Sequence, residues 1–215
     1  MKTIVEVYDA DNRRPEVMER AGAILKKGGL VAFPTETVYG LGGDALNPEA
    51  SARIYAAKGR PSDNPLIVHI ADMEALKVLA SEVPEKARLL ADRFWPGPLT
   101  MIMPKSDAVP YATTGGLDTV AIRMPSHPTA YELIRSSGVY IAAPSANTSG
   151  RPSPTTAQHV YEDLNGRIDM IIDSGKVDIG LESTIVDLTG EIPTILRPGL
   201  YNEGNAGRGC GPCDH

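Results

Sequence analysis

The chain has 215 residues, of which 42% are hydrophobic and 22% are charged, so it can bury the core of one ordinary globular domain. Its 21 basic and 27 acidic residues give a formal net charge of −6, which argues against a protein that binds nucleic acid through many contacts to the phosphate backbone. No run approaches the roughly 18 apolar residues of a membrane span, and Glu6 stands where a signal peptide would stay apolar, so we expect a cytoplasmic protein.

Apolar runs rich in β-branched residues alternate with amphipathic segments along the chain, which predicts an α/β protein. The predicted strands span residues 4–7, 30–33, 66–70, 99–103, 120–123, 139–142, 170–173, 184–187 and 194–196. The predicted helices span residues 15–27, 48–57, 73–80, 84–94, 128–136 and 156–164. Because the later strands follow one another through short connections, we expect a mixed sheet and not a purely parallel one.

The end of the chain differs in composition from the rest. Glycine and asparagine become frequent after about Arg197, so we assign residues 1–201 to one domain and residues 202–215 to a flexible Gly-rich tail or the start of a truncated linker. Both cysteines, Cys210 and Cys213, lie in this tail. A redox pair needs a flanking strand and helix, and a metal site needs more ligands than the tail supplies, so we favour the tail interpretation.

The first unusual segment, residues 33–43 (FPTETVYGLGG), follows an apolar predicted strand. Its glycines would let the backbone approach a ligand closely, and its threonines and tyrosine offer hydroxyl groups. The glycine spacing does not match the dinucleotide fingerprint, and no Walker A sequence occurs in the chain. We interpret the segment as a turn-rich connection that is either a plain loop or part of a site.

The second segment, residues 58–65 (KGRPSDNP), joins a predicted helix to a predicted strand. Lys58 and Arg60, one residue apart in a loop stiffened by two prolines, can hold polyphosphate oxygens from two directions. The alternative is a solvated helix C-terminus whose cations complement the helix dipole, and we favour the functional interpretation. His69 on the next apolar strand is, taken alone, more typical of a hydrogen-bonded core histidine.

The third segment, residues 144–155 (PSANTSGRPSPT), follows a predicted strand directly. Its serine, asparagine and threonine side chains supply compact donors and acceptors that suit a nucleotide or an amino acid, and the alternative is a polar loop built from turn formers. Two shorter pieces, residues 180–184 (GLEST) and 196–199 (LRPG), lie at the ends of later strands. No Ser/His/Asp triad or zinc motif is supported, so the candidate site is a polar, cationic constellation.

A resemblance to the YrdC/Sua5 family of threonylcarbamoyl-AMP synthases is carried, in chain order, by FPTETVYGLG, AKGRPSDNPLIVHI, FWPGPLT, IRMPSHP, SANTSGRPSPTT, GLESTIVD and LRPG. These segments run from about Val31 to Gly199, which is most of the chain. The resemblance implies a twisted mixed sheet with flanking helices around a positively charged cavity, which is the YrdC-like and DHBP-synthase-like fold.

The resemblance also implies the residues of the site. The family's Lys-x-Arg and Ser-x-Asn signature falls on Lys58, Arg60, Ser145 and Asn147, with Lys58 and Arg60 as the catalytic cations. The residues expected to bind ATP are Lys58, Arg60, Asn64, Thr119, Asn147, Thr155 and Arg197. The residues expected to bind L-threonine are Thr37, His69, Arg123, Ser145 and Ser183.

The implied reaction is carboxylation of the threonine amine by bicarbonate, followed by attack of the carbamate on the α-phosphorus of ATP. Catalysis would come from aligning three substrates and neutralising the triphosphate. Mg²⁺ would accompany ATP and be held mainly by phosphate oxygens and water, because the motifs offer no carboxylate cluster. Downstream threonylcarbamoyl-transfer proteins would deliver the product to adenosine 37 of tRNAs that read ANN codons, and weak contact with tRNA or double-stranded RNA is a further expectation.

Two alternatives stay open from the sequence. One is a related carbamoyl-adenylate chemistry, as in the YrdC-like domain of hydrogenase-maturation carbamoyltransferases, whose additional domains and zinc motifs this sequence lacks. The other is a non-catalytic RNA-binding module, which the acidic total and the 5% aromatic content disfavour. Longer Sua5-type members continue into a second domain, so the chain is either a single-domain YrdC-type protein or part of a longer one whose lid would be missing.

Overall fold

The computed structural model describes residues 2–9, 11 and 14–201. The predicted tail at 202–215, with Cys210 and Cys213, lies outside the described residues, so the proposed domain boundary at residue 201 stays a prediction. None of the described helices combines the length and the apolar character that a membrane span requires.

Ten strands and seven helices make up the described part of the chain. The strands are β1 Ile4–Val7, β2 Val31–Pro34, β3 Tyr39–Asp44, β4 Ile67–His69, β5 Leu99–Pro104, β6 Thr119–Arg123, β7 Ile141–Ala142, β8 Met170–Asp173, β9 Thr184–Asp187 and β10 Thr194–Arg197. The helices are α1 Pro15–Lys26, α2 Pro48–Lys58, α3 Leu76–Leu79, α4 Glu85–Phe94, α5 Tyr111–Thr114, α6 Pro128–Ser137 and α7 Ala157–Leu164, with a 3-10 turn at Met73–Ala75.

The strands form one mixed sheet in the order β1-β8-β2-β3-β7-β4-β6-β5-β9-β10. Parallel pairs join β1 to β8, β2 to β8, β4 to β6 and β5 to β9, and the other neighbours are antiparallel. The mixed α/β sheet predicted from the sequence is therefore confirmed. Sequence distance is a poor guide to this order, since β8 lies between β1 and β2.

Helices cover both faces of the sheet, and successive side chains along a strand pack alternately in two hydrophobic cores. Val31 and Phe33 of β2 pack in the core with α1 and α6, whereas Ala32 packs in the core with α2 and α7. Met170 and Ile171 of β8 divide in the same way. Successive strand side chains point to opposite faces, so a sheet covered on both sides needs continuous apolar runs, which is the pattern of these strands.

We interpreted the glycine-rich segment 33–43 as a turn-rich connection, and residues 35–38 do connect β2 to β3. Its glycines lie instead in strand β3, which pairs antiparallel with β2 and β7. A Cβ atom added at Gly42 would lie 2.7 Å from the Cγ2 of Ile141 and 2.8 Å from a ring carbon of Phe33. The glycines here are required mainly by close side-chain packing. Gly40 differs, because it also borders the cavity described below.

Local capping explains the ends of α2, the helix that leads into the site. The Oδ1 of Asn47 accepts from the backbone N–H of Glu49 at 2.9 Å, and Pro48 fills the first turn where no intrahelical donor is needed. Gly59 ends the helix in the left-handed conformation, with φ +64°. The chain therefore turns sharply between Lys58, the last helical residue, and Arg60.

Candidate functional site

A cavity of about 250 Å³ lies where central strands of the sheet end or begin. His69 and Arg123 are register partners at the carboxyl ends of the parallel strands β4 and β6, and Thr100 of antiparallel β5 faces Arg123. The lining residues are Thr35, Thr37, Val38, Gly40, Arg60, Pro65, Ile67, His69, Arg123, Ala143, Pro144, Ser145, Glu182, Ser183 and Arg197. The topology thus brings together residues that lie between positions 35 and 197 of the chain.

Arg123 is the buried cation of the central wall, with 4% of the residue exposed. Its Nη1 donates to Thr37 Oγ1 at 3.0 Å, and its Nη2 donates to Glu36 Oε1 at 2.6 Å. Glu36 also accepts from the Ser126 N–H through its other oxygen, at 3.2 Å. The Nε of Arg123 is a buried donor without a hydrogen-bond partner among the described residues, and buried donors rarely stay unpaired unless a site needs them.

His69 lies beside Arg123 and is 3% exposed. Its Nδ1 is 3.2 Å from the Ile67 carbonyl oxygen, and the Phe33 ring packs edge-on against the imidazole. Burial, reinforced by the charge of Arg123, lowers the pKa of His69 to about 3. The imidazole is therefore neutral at physiological pH and suits a hydroxyl partner better than an anion.

A second wall of the cavity comes from the residues just before β9 and from the end of β10. Arg197, at the end of β10, donates from Nε to the Ser183 carbonyl at 2.9 Å and from Nη2 to Ser183 Oγ at 3.1 Å. Ser183 Oγ is also 2.7 Å from Thr100 Oγ1 on β5. Arg197 and the Ser183 hydroxyl are thus fixed as one unit.

Arg60 and Glu182 supply further charge at the cavity. Within the described residues, Arg60 donates hydrogen bonds to two backbone oxygens, those of Asn64 at 3.4 Å from Nε and Pro65 at 3.3 Å from Nη2. Burial raises the pKa of Glu182, but hydrogen bonds from Ser153 and from its own backbone N–H, together with the charge of Arg197, outweigh that effect, so the pKa lies below its usual value. The lining therefore carries three guanidinium groups and one ionised carboxylate.

Lys58 and Asn147 lie behind the lining and not in it. Lys58 is 3% exposed and Asn147 is 7% exposed. Lys58 Nζ donates to the carbonyl oxygens of Ser145 and Asn147, the second at 2.6 Å. Burial, reinforced by the charge of Arg60, lowers the pKa of Lys58 to about 8.

Seven of the twelve residues predicted for the site line the cavity: Thr37, Arg60, His69, Arg123, Ser145, Ser183 and Arg197. Lys58 and Asn147 lie behind the lining, and the remaining three predicted residues lie elsewhere. Thr119 begins β6, four residues or roughly 13 Å from Arg123, Asn64 is exposed, and Thr155 accepts from the Val177 N–H at 2.9 Å. Their assignment to ATP stays a prediction.

Three further residues belong to the site and were not predicted from the sequence: Thr35, Glu36 and Glu182. Glu36 stands in the FPTETVYGLG segment between two threonines, and an acidic residue next to a buried strand is itself a signal of a charge partner. Thr35 Oγ1 is 2.9 Å from Thr37 Oγ1 and donates to the Val38 carbonyl at 2.7 Å. No group of three or more His, Cys, Asp or Glu side chains placed to hold a metal occurs in the described residues.

Comparisons with known proteins agree with this geometry. A family model described as "Telomere recombination", covering Sua5, YciO and YrdC, matches residues 23–199. The threonylcarbamoyl-AMP synthase of Pyrococcus abyssi is 62% identical over 179 residues, which are 83% of this chain and 53% of that protein. The threonylcarbamoyl-AMP synthase of Bacillus subtilis is 56% identical over 203 residues, which are 93% of this chain and 59% of that protein.

A solved structure of P. abyssi Sua5 complexed with L-threonine superimposes with a TM-score of 0.88 at 56% identity, covering 93% of this chain and 58% of that one. The chain thus spans between half and two thirds of the length of these relatives. The family model covers most of the chain, and the relatives are far more than 30% identical to it. The chain therefore belongs to the Sua5/YciO/YrdC family.

Proposed function

We propose that the chain is a nucleotidyltransferase that forms threonylcarbamoyl-AMP and pyrophosphate from L-threonine, bicarbonate and ATP. The observation that carries the proposal is the buried guanidinium of Arg123. Its Nε–H has no hydrogen-bond partner among the described residues, and it lies at a cavity bordered by two further arginines. A small carboxylate that accepts from this donor would satisfy it, while Arg60 and Arg197 suit phosphate oxygens. The threonylcarbamoyl-AMP synthase names of the relatives and the L-threonine held by P. abyssi Sua5 support the same choice.

The chemistry needs positioning more than a protein nucleophile. The threonine amine forms a bond to the carbon of bicarbonate and water leaves, which gives a carbamate. A carbamate oxygen then bonds to the α-phosphorus of ATP, and the bond to pyrophosphate breaks. Arg123 would orient the threonine carboxylate, and neutral His69 would form a hydrogen bond with the threonine hydroxyl. Arg60 and Arg197 would offset the charge of the triphosphate.

Mg²⁺ is part of the proposal as the cation that arrives with ATP. Phosphate oxygens and water would hold most of its coordination sphere, and Glu182 is the carboxylate among the lining residues that could complete it. When bound, the ion would withdraw charge from the phosphates. Delivery of the product to tRNA by downstream transfer proteins, weak RNA contact and a cytoplasmic location are expectations that belong to the same proposal.

The test is pyrophosphate release by the purified chain, with each substrate omitted in turn. We expect release that needs ATP, threonine and bicarbonate together, and mass spectrometry should find threonylcarbamoyl-AMP. Serine should replace threonine less well, since one methyl group is worth about 1–3 kcal/mol of discrimination. Release that continues without threonine or without bicarbonate would contradict the proposal.

The matched variants are Arg123→Met and Arg151→Met. Both remove a guanidinium, but Arg151 pairs with Asp163 at an exposed position and does not line the cavity. We expect Arg123→Met to raise the KM for threonine by about 10-fold or more, the cost of one charge-assisted contact. Equal behaviour of the two variants would remove Arg123 from the threonine site.

A further inference from the structure

The two cations of the Lys-Gly-Arg segment have different positions. Lys58 is the last residue of α2, and Gly59 follows it in the left-handed conformation with φ +64°. A residue with a side chain adopts this conformation rarely, so the glycine permits a sharp change of direction. Arg60 consequently lines the cavity, whereas Lys58 is 3% exposed and stays under the neighbouring loop.

The Lys58 ammonium group is fully used inside the protein. It contacts the Ser145 carbonyl oxygen, the Asn147 carbonyl oxygen at 2.6 Å and the Asn147 Oδ1 at 3.4 Å. An ammonium group has three N–H donors, and three protein oxygens surround this one. No donor is left for a phosphate oxygen.

The segment that Lys58 holds, residues 145–149, forms part of the cavity wall through Ser145. The Ser149 N–H donates back to the Lys58 carbonyl at 2.9 Å, so backbone and side chain of one residue fix both ends of the segment. On its outer side, Asp163 of α7 accepts from the Thr148 N–H at 2.9 Å. The carbonyl groups of this segment converge on Lys58, and without a cation they would be buried without a donor.

We propose that Lys58 is a positioning residue, which fixes residues 145–149 by binding their carbonyl oxygens and does not bind ATP phosphate. The kinetic part of this inference rests on the proposed function, whereas the structural part does not. Both Ser145, expected on the threonine side, and Asn147, expected on the ATP side, depend on the same ammonium group. The lowered pKa of Lys58, about 8, agrees with burial in a site where the protein's own dipoles supply the partners.

Reductive methylation of the wild-type chain, followed by peptide mass spectrometry, distinguishes a buried support from a phosphate ligand. A positioning lysine should stay unmodified in the free protein, and Mg²⁺-ATP should not change its labelling. Lys77, whose side chain is 72% exposed, is the internal control that should react throughout. Rapid labelling of Lys58 in the free protein, with protection by Mg²⁺-ATP, would overturn the inference. This experiment needs no turnover, so it stands even where the proposed function fails.

Kinetics of Lys58→Met, compared with Arg60→Met and Lys77→Met, give the second measurement. Loss of the support should raise the KM for both ATP and threonine by about 10-fold or more, because Ser145 and Asn147 move together. Arg60→Met should raise the KM for ATP alone, and Lys77→Met should change neither. Lys58→Arg keeps the charge and should recover part of the affinity for both substrates. A Lys58→Met enzyme that lost affinity for ATP alone would overturn the inference, and the labelling result decides the matter where Lys58→Met does not fold.

Discussion

The two walls of the cavity are fixed in different ways. The central wall carries His69 and Arg123 on adjacent parallel strands, each no more than 4% exposed. The second wall belongs to the β9 and β10 hairpin, in which β10 is an edge strand and Leu196 is 57% exposed. In the central wall, the charge of Arg123 interacts with the carboxylate of Glu36 in a buried region, where the effective dielectric constant is low. In the hairpin, the Arg197 side chain is only half-buried and stays in partial contact with water. We therefore expect the central wall to be the more rigid of the two and the edge hairpin to be the more adaptable.

The buried pair of Arg123 and Glu36 provides the strongest test of this comparison. Replacing Glu36 by Ala leaves the Arg123 charge buried without its partner, which should lower the free energy of unfolding by about 3–5 kcal/mol. Chemical denaturation measures the change. The double variant Glu36→Gln/Arg123→Met should recover much of the loss, because no unpaired charge remains.

The exposed pair of Lys77 and Glu74 is the control for that experiment, since their side chains are 72% and 76% exposed. Glu74→Ala should cost less than about 1 kcal/mol. A similar loss in the free energy of unfolding for the Glu36 and Glu74 variants would mean that the buried ion pair does not stabilise the central wall more than an exposed pair would.

Arg60 provides the next largest effect, on activity and not on stability. Arg60→Ala should lose charge-assisted hydrogen bonds of about 1.5–3 kcal/mol each, a loss of roughly 10- to 100-fold in kcat/KM. The melting temperature should hardly change, because the hydrogen bonds of the side chain within the described residues are long ones, to the backbone oxygens of Asn64 and Pro65. Steady-state pyrophosphate release with ATP and threonine varied separately checks this. Normal ATP dependence would remove Arg60 from the site, and an unfolded variant would favour a structural role.

His69 should make the central wall sensitive to acid. Its pKa in the folded protein is about 3, below the value of about 6.5 expected in the unfolded chain. Below pH 6.5 the unfolded state therefore binds a proton at His69 that the folded state does not bind. The contribution of this group to the free energy of unfolding is complete above pH 6.5 and is lost as the pH falls toward 3. At pH 5.5 the expected loss is about 1.4 kcal/mol.

The pH dependence of unfolding should identify that contribution. His69→Gln should flatten the stability profile between pH 6.5 and 5.5, whereas His159→Gln, at an exposed position on α7, should leave the slope unchanged. Identical slopes for wild type and His69→Gln would show that another group controls the acid response.

The sequence predicted the strands of the central wall well, because continuous apolar runs are specific to a sheet covered on both faces. It failed at β3, where the glycines that suggested a turn are required by packing against Phe33 and Ile141. Strands are predicted from the alternation of apolar and polar side chains, and glycine has no side chain that could contribute to this pattern. The predicted helix at 73–80 likewise divides into a 3-10 turn and α3.

The candidate site was predicted less completely than the fold. Motif resemblance identified the lining arginines, but it could not tell that Gly59 separates a buried Lys58 from Arg60 at the cavity. That difference depends on the direction of a chain reversal and on which carbonyl groups the fold brings to Lys58 from residues more than 80 positions away. Long-range pairing of this kind, like the contact of Glu36 with Arg123, has no local signature in the sequence.

Truncation of an exposed apolar side chain in the hairpin gives the smallest expected effect, and a matched truncation in the central wall sharpens the comparison. Leu196 of β10 is 57% exposed, so Leu196→Ala should change the free energy of unfolding by less than about 0.5 kcal/mol. Ile122 of β6 is fully buried and loses the same number of carbon atoms, so Ile122→Ala should cost about 2–5 kcal/mol. Chemical denaturation of both variants under one set of conditions supplies the measurement. A cost at Leu196 close to that at Ile122 would show that the hairpin packs as firmly as the central strands, and the proposed division between a fixed wall and an adaptable one would then be wrong.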